Sequence, residues 1–154
     1  MLSKVISGGQ TGADRAALDA AVRAGFPIGG SCPAGRLAED GPINVAYPLT
    51  EINGGYIERT RRNVMDADAT AVFFHSCISG GTKETVLHCI RQDKPYKLID
   101  ISLVSPEQAA VLIVEFILGF NVSVLNVAGP RASACPLIYA HVKESMSLAL
   151  QCLR

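Results

Sequence analysis

The chain has 154 residues, 49% of them apolar and only 18% charged, with fourteen basic and fourteen acidic side chains that cancel. This composition fits one globular domain spanning residues 1–154 with a real core, and excludes a disordered chain and a general nucleic-acid-binding surface. Cys32, Cys77, Cys89, Cys135 and Cys152 form no C-x-x-C pair, and the longest apolar run, Val111–Leu118, is too short for a bilayer. No leader pattern opens the chain, so a reduced cytoplasmic protein with neither a membrane span nor a protein-ligated metal is expected.

Val5–Ser7 reads as a first strand and Ala13–Ala24 as an Ala-rich helix, with Gly25 at its C-cap and Pro27 blocking continuation. Ile28–Ser31 is a short second strand. Cys32 to Gly55 is rich in glycine and proline and too long for an ordinary connection, which predicts a functional loop or lid. Tyr56–Met65 reads as an arginine-rich helix, and Ala69–His75 as a strand buried on both faces of a parallel sheet. A second glycine loop, Ser76–Gly81, leads into a helix over Thr82–Arg91, with Thr82 as the expected N-cap. Lys97–Ile101 is the fourth strand. Ser105-Pro106-Glu107 starts a helix that runs to Leu118, and Gly119 ends it. Ser123–Val127 is the fifth strand, followed by a third loop, Ala128–Ser133, and a last helix from Cys135 or Pro136 to Leu150. Alternating strands and helices predict a three-layer α/β domain with a doubly wound parallel sheet of about five strands.

In such a sheet the loops after the strands converge at the carboxyl edge. The first loop, Ser7-Gly8-Gly9-Gln10-Thr11-Gly12, joins a strand to a helix N-terminus, where free N–H groups and about half a positive charge attract an anion. It lacks the Gly-Lys-Ser/Thr of a Walker A loop and the spacing of the dinucleotide fingerprint. Ser79-Gly80-Gly81-Thr82 repeats the design, and Arg131 can clamp an oxyanion. Arg36, Glu39 and Asp40 form an acid pair beside an arginine, able to hold a ligand or to sit in a solvated turn. Arg59 and Asn63 share a helix face at i, i+4, with Arg61 and Arg62 on a charged surface. His75, His88 and His141 have no metal-ligand spacing. Cys77 reads as a small buried or half-buried thiol, and Lys83 and Glu84 either reach a ligand or simply decorate the first turn.

Ser7-Gly-Gly-Gln-Thr-Gly-Ala-Asp-Arg-Ala-Ala-Leu18, Cys32-Pro-Ala-Gly-Arg36 with Ala38-Glu-Asp-Gly41, Arg59 with Asn63, Ser79-Gly-Gly-Thr82, and Asn126-Val-Ala-Gly-Pro-Arg131 with Ser133 together resemble the molybdenum carrier family over nearly the whole chain. The resemblance implies a circularly permuted, Rossmann-like member of a superfamily that binds nucleotide-derived ligands and includes lysine-decarboxylase-like phosphoribohydrolases. It implies a ligand crevice built from Gly8, Gly9, Gln10, Thr11, Gly12, Asp14 and Arg15, from Gly80, Gly81 and Thr82, and from Gly129, Pro130 and Arg131. It names the molybdenum cofactor as the candidate ligand. The phosphoribohydrolase motif P-G-G-x-G-T-x-x-E is only partly matched by Ile78-Ser-Gly-Gly-Thr-Lys-Glu84.

Three functions follow. One is a carrier or binding protein for a phosphorylated pterin- or nucleotide-like small molecule. Another is an enzyme that cleaves a nucleotide with a carboxylate from Asp14, Glu39, Asp40 or Glu84. The third is a ligand sensor. The first is preferred, because few general bases are in evidence. The excess of apolar residues around 105–119 predicts a homo-oligomer.

Overall fold

The computed structural model describes all residues, Met1–Arg154. In chain order the elements are β1 (Lys4–Ile6), α1 (Ala13–Arg23), β2 (Ile28–Gly29), β3 (Ser31–Pro33), β4 (Leu37–Ala38), β5 (Gly41–Pro42) and β6 (Thr50–Ile52). They continue with α2 (Tyr56–Asp66), β7 (Ala69–Phe74), α3 (Gly80–Arg91), β8 (Tyr96–Asp100), α4 (Pro106–Gly119), β9 (Val124–Ala128) and α5 (Ile138–Cys152). The main sheet is parallel throughout, in the order β2-β1-β9-β7-β8. Helices α1, α4 and α5 pack together on one face, and α2 with α3 on the other. The three-layer, Rossmann-like α/β fold is therefore as the sequence implies.

Period-two alternation divides the strand residues between the two faces. Val5, Ala69, Ala71, Phe73, Leu125 and Val127 join a buried apolar cluster with α1, α4 and α5. Their neighbours Ile6, Thr70, Val72 and Asn126 point to the α2–α3 side. There Asn126 is in register with Ile6 and with Thr70, and it donates to the Thr70 hydroxyl at 3.3 Å.

Helix α4 begins as its sequence predicts. Pro106 occupies the first turn, and Ser105 and Gln108 close a reciprocal capping box. Val111 and Leu118 of this helix remain exposed.

The structure corrects four local readings. The second strand is not continuous. It breaks at Gly30, which sits against the Ser7 backbone, and the chain then pairs β3 with β6 in a separate sheet. The Cys32–Gly55 segment is not a free lid either. It carries β3, the β4–β5 hairpin and β6, and buries Cys32, Ala38, Ile43 and Leu49 against Leu18 of α1. Thr82 is not the cap of α3, because the helix starts at Gly80 with Ser79 as its N-cap. Cys77 is exposed rather than buried or half-buried.

Candidate functional site: a cleft at the carboxyl edge

The order of the strands reverses, β1 to β2 stepping one way across the sheet and β7 to β8 the other, with β9 between the two halves. Ligands of open α/β sheets bind at such a switch point, beyond the carboxyl ends of the strands. A cleft of about 420 Å³ opens there, between the loops after β1, β7 and β9 and the first turn of α2. Gln10, Asp14, Glu39, Arg59, Ser79, Gly80, Gly81, Thr82, Gly129, Pro130 and Arg131 line it.

The first glycine loop is occupied by its own protein. Gly9 N–H donates to the Ser7 hydroxyl, Gln10 N–H to the Asp14 carboxylate at 3.3 Å, and Thr11 N–H to the Gln10 side chain. Ala13 N–H donates to the Pro130 carbonyl. The Asp14 carboxylate thus takes the place that an anion would take in a free loop. It is buried, and Arg59 Nη1 donates to it at 3.0 Å. Burial pushes the Asp14 carboxyl up, against the Arg59 guanidinium and the Gln10 amide that pull it down. Gly8 is required by this arrangement. The Arg59 side chain lies so close that a Cβ on Gly8 would stand 1.9 Å from Nη1.

The second loop is open. Ser79 makes no side-chain cap, and the N–H groups of Gly80, Gly81 and Thr82 have no protein partner. Nothing lies within 4 Å of a Cβ built on Gly80 or Gly81. These free donors at the N-terminus of a twelve-residue helix face the cleft.

The third loop is latched to the first by Glu39. Its carboxylate accepts from the Thr11 hydroxyl at 2.5 Å, the Ser133 hydroxyl at 2.6 Å and the Ser133 N–H at 3.1 Å. Arg131 Nε stands 3.4 Å away. The Ser133 and Thr11 hydroxyls, helped by Arg131, hold the Glu39 carboxyl below its usual range. Thr11 also accepts from Ala132 N–H, and Gly12 packs against the Pro130 carbonyl.

Other candidates serve the frame. Arg15 reaches Asp40 at 2.5 Å and the Gly9 carbonyl at 3.0 Å. Arg36 donates to the carbonyls of Ile43, Leu49, Asn44 and Tyr47 and so pins the excursion between β3 and α2. Asn63 bonds both backbone groups of Ser31. Arg61 and Arg62 pair with Glu58 and Asp66 on the surface of α2.

Tyr56, Thr60, Glu84 and Thr85 also line the cleft. Tyr56 and Thr60 fall on the same i, i+3/i+4 stripe of α2 as Arg59 and Asn63, so helical spacing alone could have included them.

A family model matches residues 5–150, that of the circularly permutated YpsA SLOG family. The chain belongs to this family. It is similar to the Putative molybdenum carrier protein of Syntrophus aciditrophicus SB, whose crystal structure has a TM-score of 0.94 at 42% identity. The match covers 97% of this chain and 95% of that one. No curated protein matches the sequence.

For this member of the SLOG family, the chemistry of the lining says what could be held. It contains no histidine and no cysteine, and no three His, Cys, Asp or Glu side chains gather as a metal set. The lining thus offers no ligand set for a bare metal cation.

Proposed function

We propose that the cleft binds a phosphorylated small molecule of the nucleotide or pterin type, as a carrier or binding protein, with the phosphate on the amides of Gly80, Gly81 and Thr82. The observation that carries this reading is the contrast between the glycine loops: in the first, protein acceptors take the N–H groups of Gly9, Gln10, Thr11 and Ala13, and the second presents three consecutive unpartnered N–H groups at the cleft. The molybdenum cofactor belongs to this ligand class. Its own dithiolene sulfurs would keep the metal, while Gly80–Thr82 hold the phosphate, and Arg59, Tyr56 and Arg131 flank the rest. The likeness to a molybdenum carrier protein supports that candidate.

Gly81 offers a clean test. Gly81→Pro deletes one N–H donor in the first helical turn, where proline is tolerated. Gly81→Ala keeps the donor, and a Cβ there meets nothing. Titration with inorganic phosphate and with AMP should show affinity falling about tenfold or more in Gly81→Pro, as expected for a lost hydrogen bond to a charged group, and little changed in Gly81→Ala. Equal affinities in the two variants would remove the phosphate from this helix terminus.

One observation favours a second reading, that of a nucleotide-cleaving enzyme. The Glu84 side chain lines the cleft and makes no hydrogen bond to the protein; the His88 ring, whose pKa burial lowers, stands 3.8 Å away. It is a carboxylate free to act on a bound nucleotide or its water. Release of free base from AMP, abolished by Glu84→Gln, would favour the enzyme. Stoichiometric binding without turnover favours the carrier.

Self-association through the exposed Val111 and Leu118 of α4 belongs to the same proposal, and light scattering tests it. All five cysteines are free, which supports a reducing compartment. No helix is long and apolar enough to cross a membrane.

A further inference from the structure

Glu84 stands between the cleft and a buried histidine. It follows the free amides of Gly80, Gly81 and Thr82 in α3, lines the cleft, and keeps 37% of its side chain exposed. One helical turn further on, the His88 side chain is only 8% exposed. Its Nε2 is buried and has no hydrogen-bond partner. The gap from Nε2 to Glu84 Oε2 is 3.8 Å, about 1 Å too long for a hydrogen bond.

The charged groups that face His88 are Glu84 and Arg91 on its own helix and Glu58 and Arg61 on α2. Strand β7, which packs under α3, carries no titratable side chain. Glu58 is already paired with Arg61, which leaves Glu84 as the carboxylate able to close on Nε2. Burial holds the imidazole below its ordinary value of 6.5, Arg91 and Arg61 push it the same way, and Glu84 and Glu58 oppose them. A buried imidazolium without a partner is costlier than the neutral ring, so a proton on His88 favours closure of the gap. The carboxylate then turns from the cleft and its charge is balanced. Both changes favour an anion on the amides of α3, because a free carboxylate beside that anion repels it.

We infer that His88 is a positioning residue for the cleft: once protonated it draws the Glu84 carboxylate onto Nε2, so that an anion on Gly80, Gly81 and Thr82 binds together with one proton on His88. The inference rests on the phosphate reading above and adds a proton to it. By linkage, affinity for the anion is highest below the His88 midpoint and falls as pH rises through it, and a bound anion moves that midpoint up.

The test uses inorganic sulfate, whose charge stays constant from about pH 5 to 8, where histidine titrates. The His88 ring of the intact chain is followed by NMR with and without saturating sulfate. Its midpoint should rise by about one pH unit, and sulfate affinity should fall about tenfold from the acid side of the transition to the alkaline side. Glu84→Gln should remove most of that rise, because a neutral amide has no charge to withdraw. His88→Gln should flatten the dependence of sulfate affinity on pH, and the ring titrations of wild type and Glu84→Gln decide the matter even where that variant fails to fold. An unmoved His88 midpoint on a chain that binds sulfate overturns the inference and leaves the phosphate reading intact. A rise that persists undiminished in Glu84→Gln overturns it too, since the anion then acts on His88 through its field alone. If the wild-type chain binds no sulfate, the phosphate reading itself fails, and this inference fails with it.

Discussion

Beneath α1, α4 and α5 the main sheet buries a cluster of 24 apolar residues. Beneath α2 and α3 the same strands present Thr70 and Asn126, facing helices that bury Thr60, Asn63, Thr85 and His88. One face removes hydrocarbon from water and supplies stability in proportion to buried area. The other buries hydrogen-bonding groups where water is excluded, and two of them, Thr60 and Thr85, line the cleft. The apolar core and the polar packing thus lie on opposite sides of one sheet.

Substitutions on the two faces should therefore fail in different ways. The largest effect belongs to the apolar face. Phe73 is wholly buried, and Phe73→Ala should lower unfolding free energy by about 3–5 kcal/mol, read by urea denaturation. Variant protein that remains folded should keep its phosphate affinity. A large affinity loss in that folded fraction would break the comparison.

At the carboxyl edge the decisive pair is Arg59 of α2 with Asp14 of α1, which joins the two faces. Removing one partner of a buried ion pair strands the other, so Arg59→Met should destabilise the chain by about 3 kcal/mol and also weaken ligand binding. Loss of binding with unchanged stability would assign Arg59 to the ligand alone. Loss of stability with unchanged binding would assign it to the frame alone.

Much of the apolar side was legible in the sequence. Ala69–Phe74 reads as a doubly buried strand because its hydrocarbon is continuous, and α4 reads from its cap because Ser105, Pro106 and Gln108 act within one turn. The polar side was less legible, because its bonds join residues far apart in the chain. Three glycine-bearing loops could be recognised, yet nothing local shows that Asp14 would fold back to fill the first while the second stayed open. Arg36 has the same charge whether it grips a ligand or four carbonyls. The excursion read as a loop because its strands are only two or three residues long, and β3 finds its partner, β6, across the whole hairpin. Thr82 is a sound cap by type. Ser79 displaced it because the helix can begin at Gly80, whose φ of 55° suits glycine.

The smallest expected effect separates the two kinds of acid at the cleft by pH. Glu39 is held low, first by the Ser133 hydroxyl and then by that of Thr11. In the unfolded chain its carboxyl returns to the ordinary value of 4.5. Just below that pH the unfolded state binds more protons than the folded one, so the stabilisation from this latch is complete above 4.5 and is lost as pH falls through the folded value. Asp14 runs the other way. Burial raises it above the ordinary 3.8, so its contribution declines as pH rises from there through its folded value. Thermal melts of wild type and Glu39→Gln across the acid range should therefore converge on acidification, with the variant less stable at neutral pH and flatter in its acid limb. Parallel curves would mean that Glu39 does not latch the first loop to the third, and the closed state of the first loop would then rest on Asp14 and Gln10 alone.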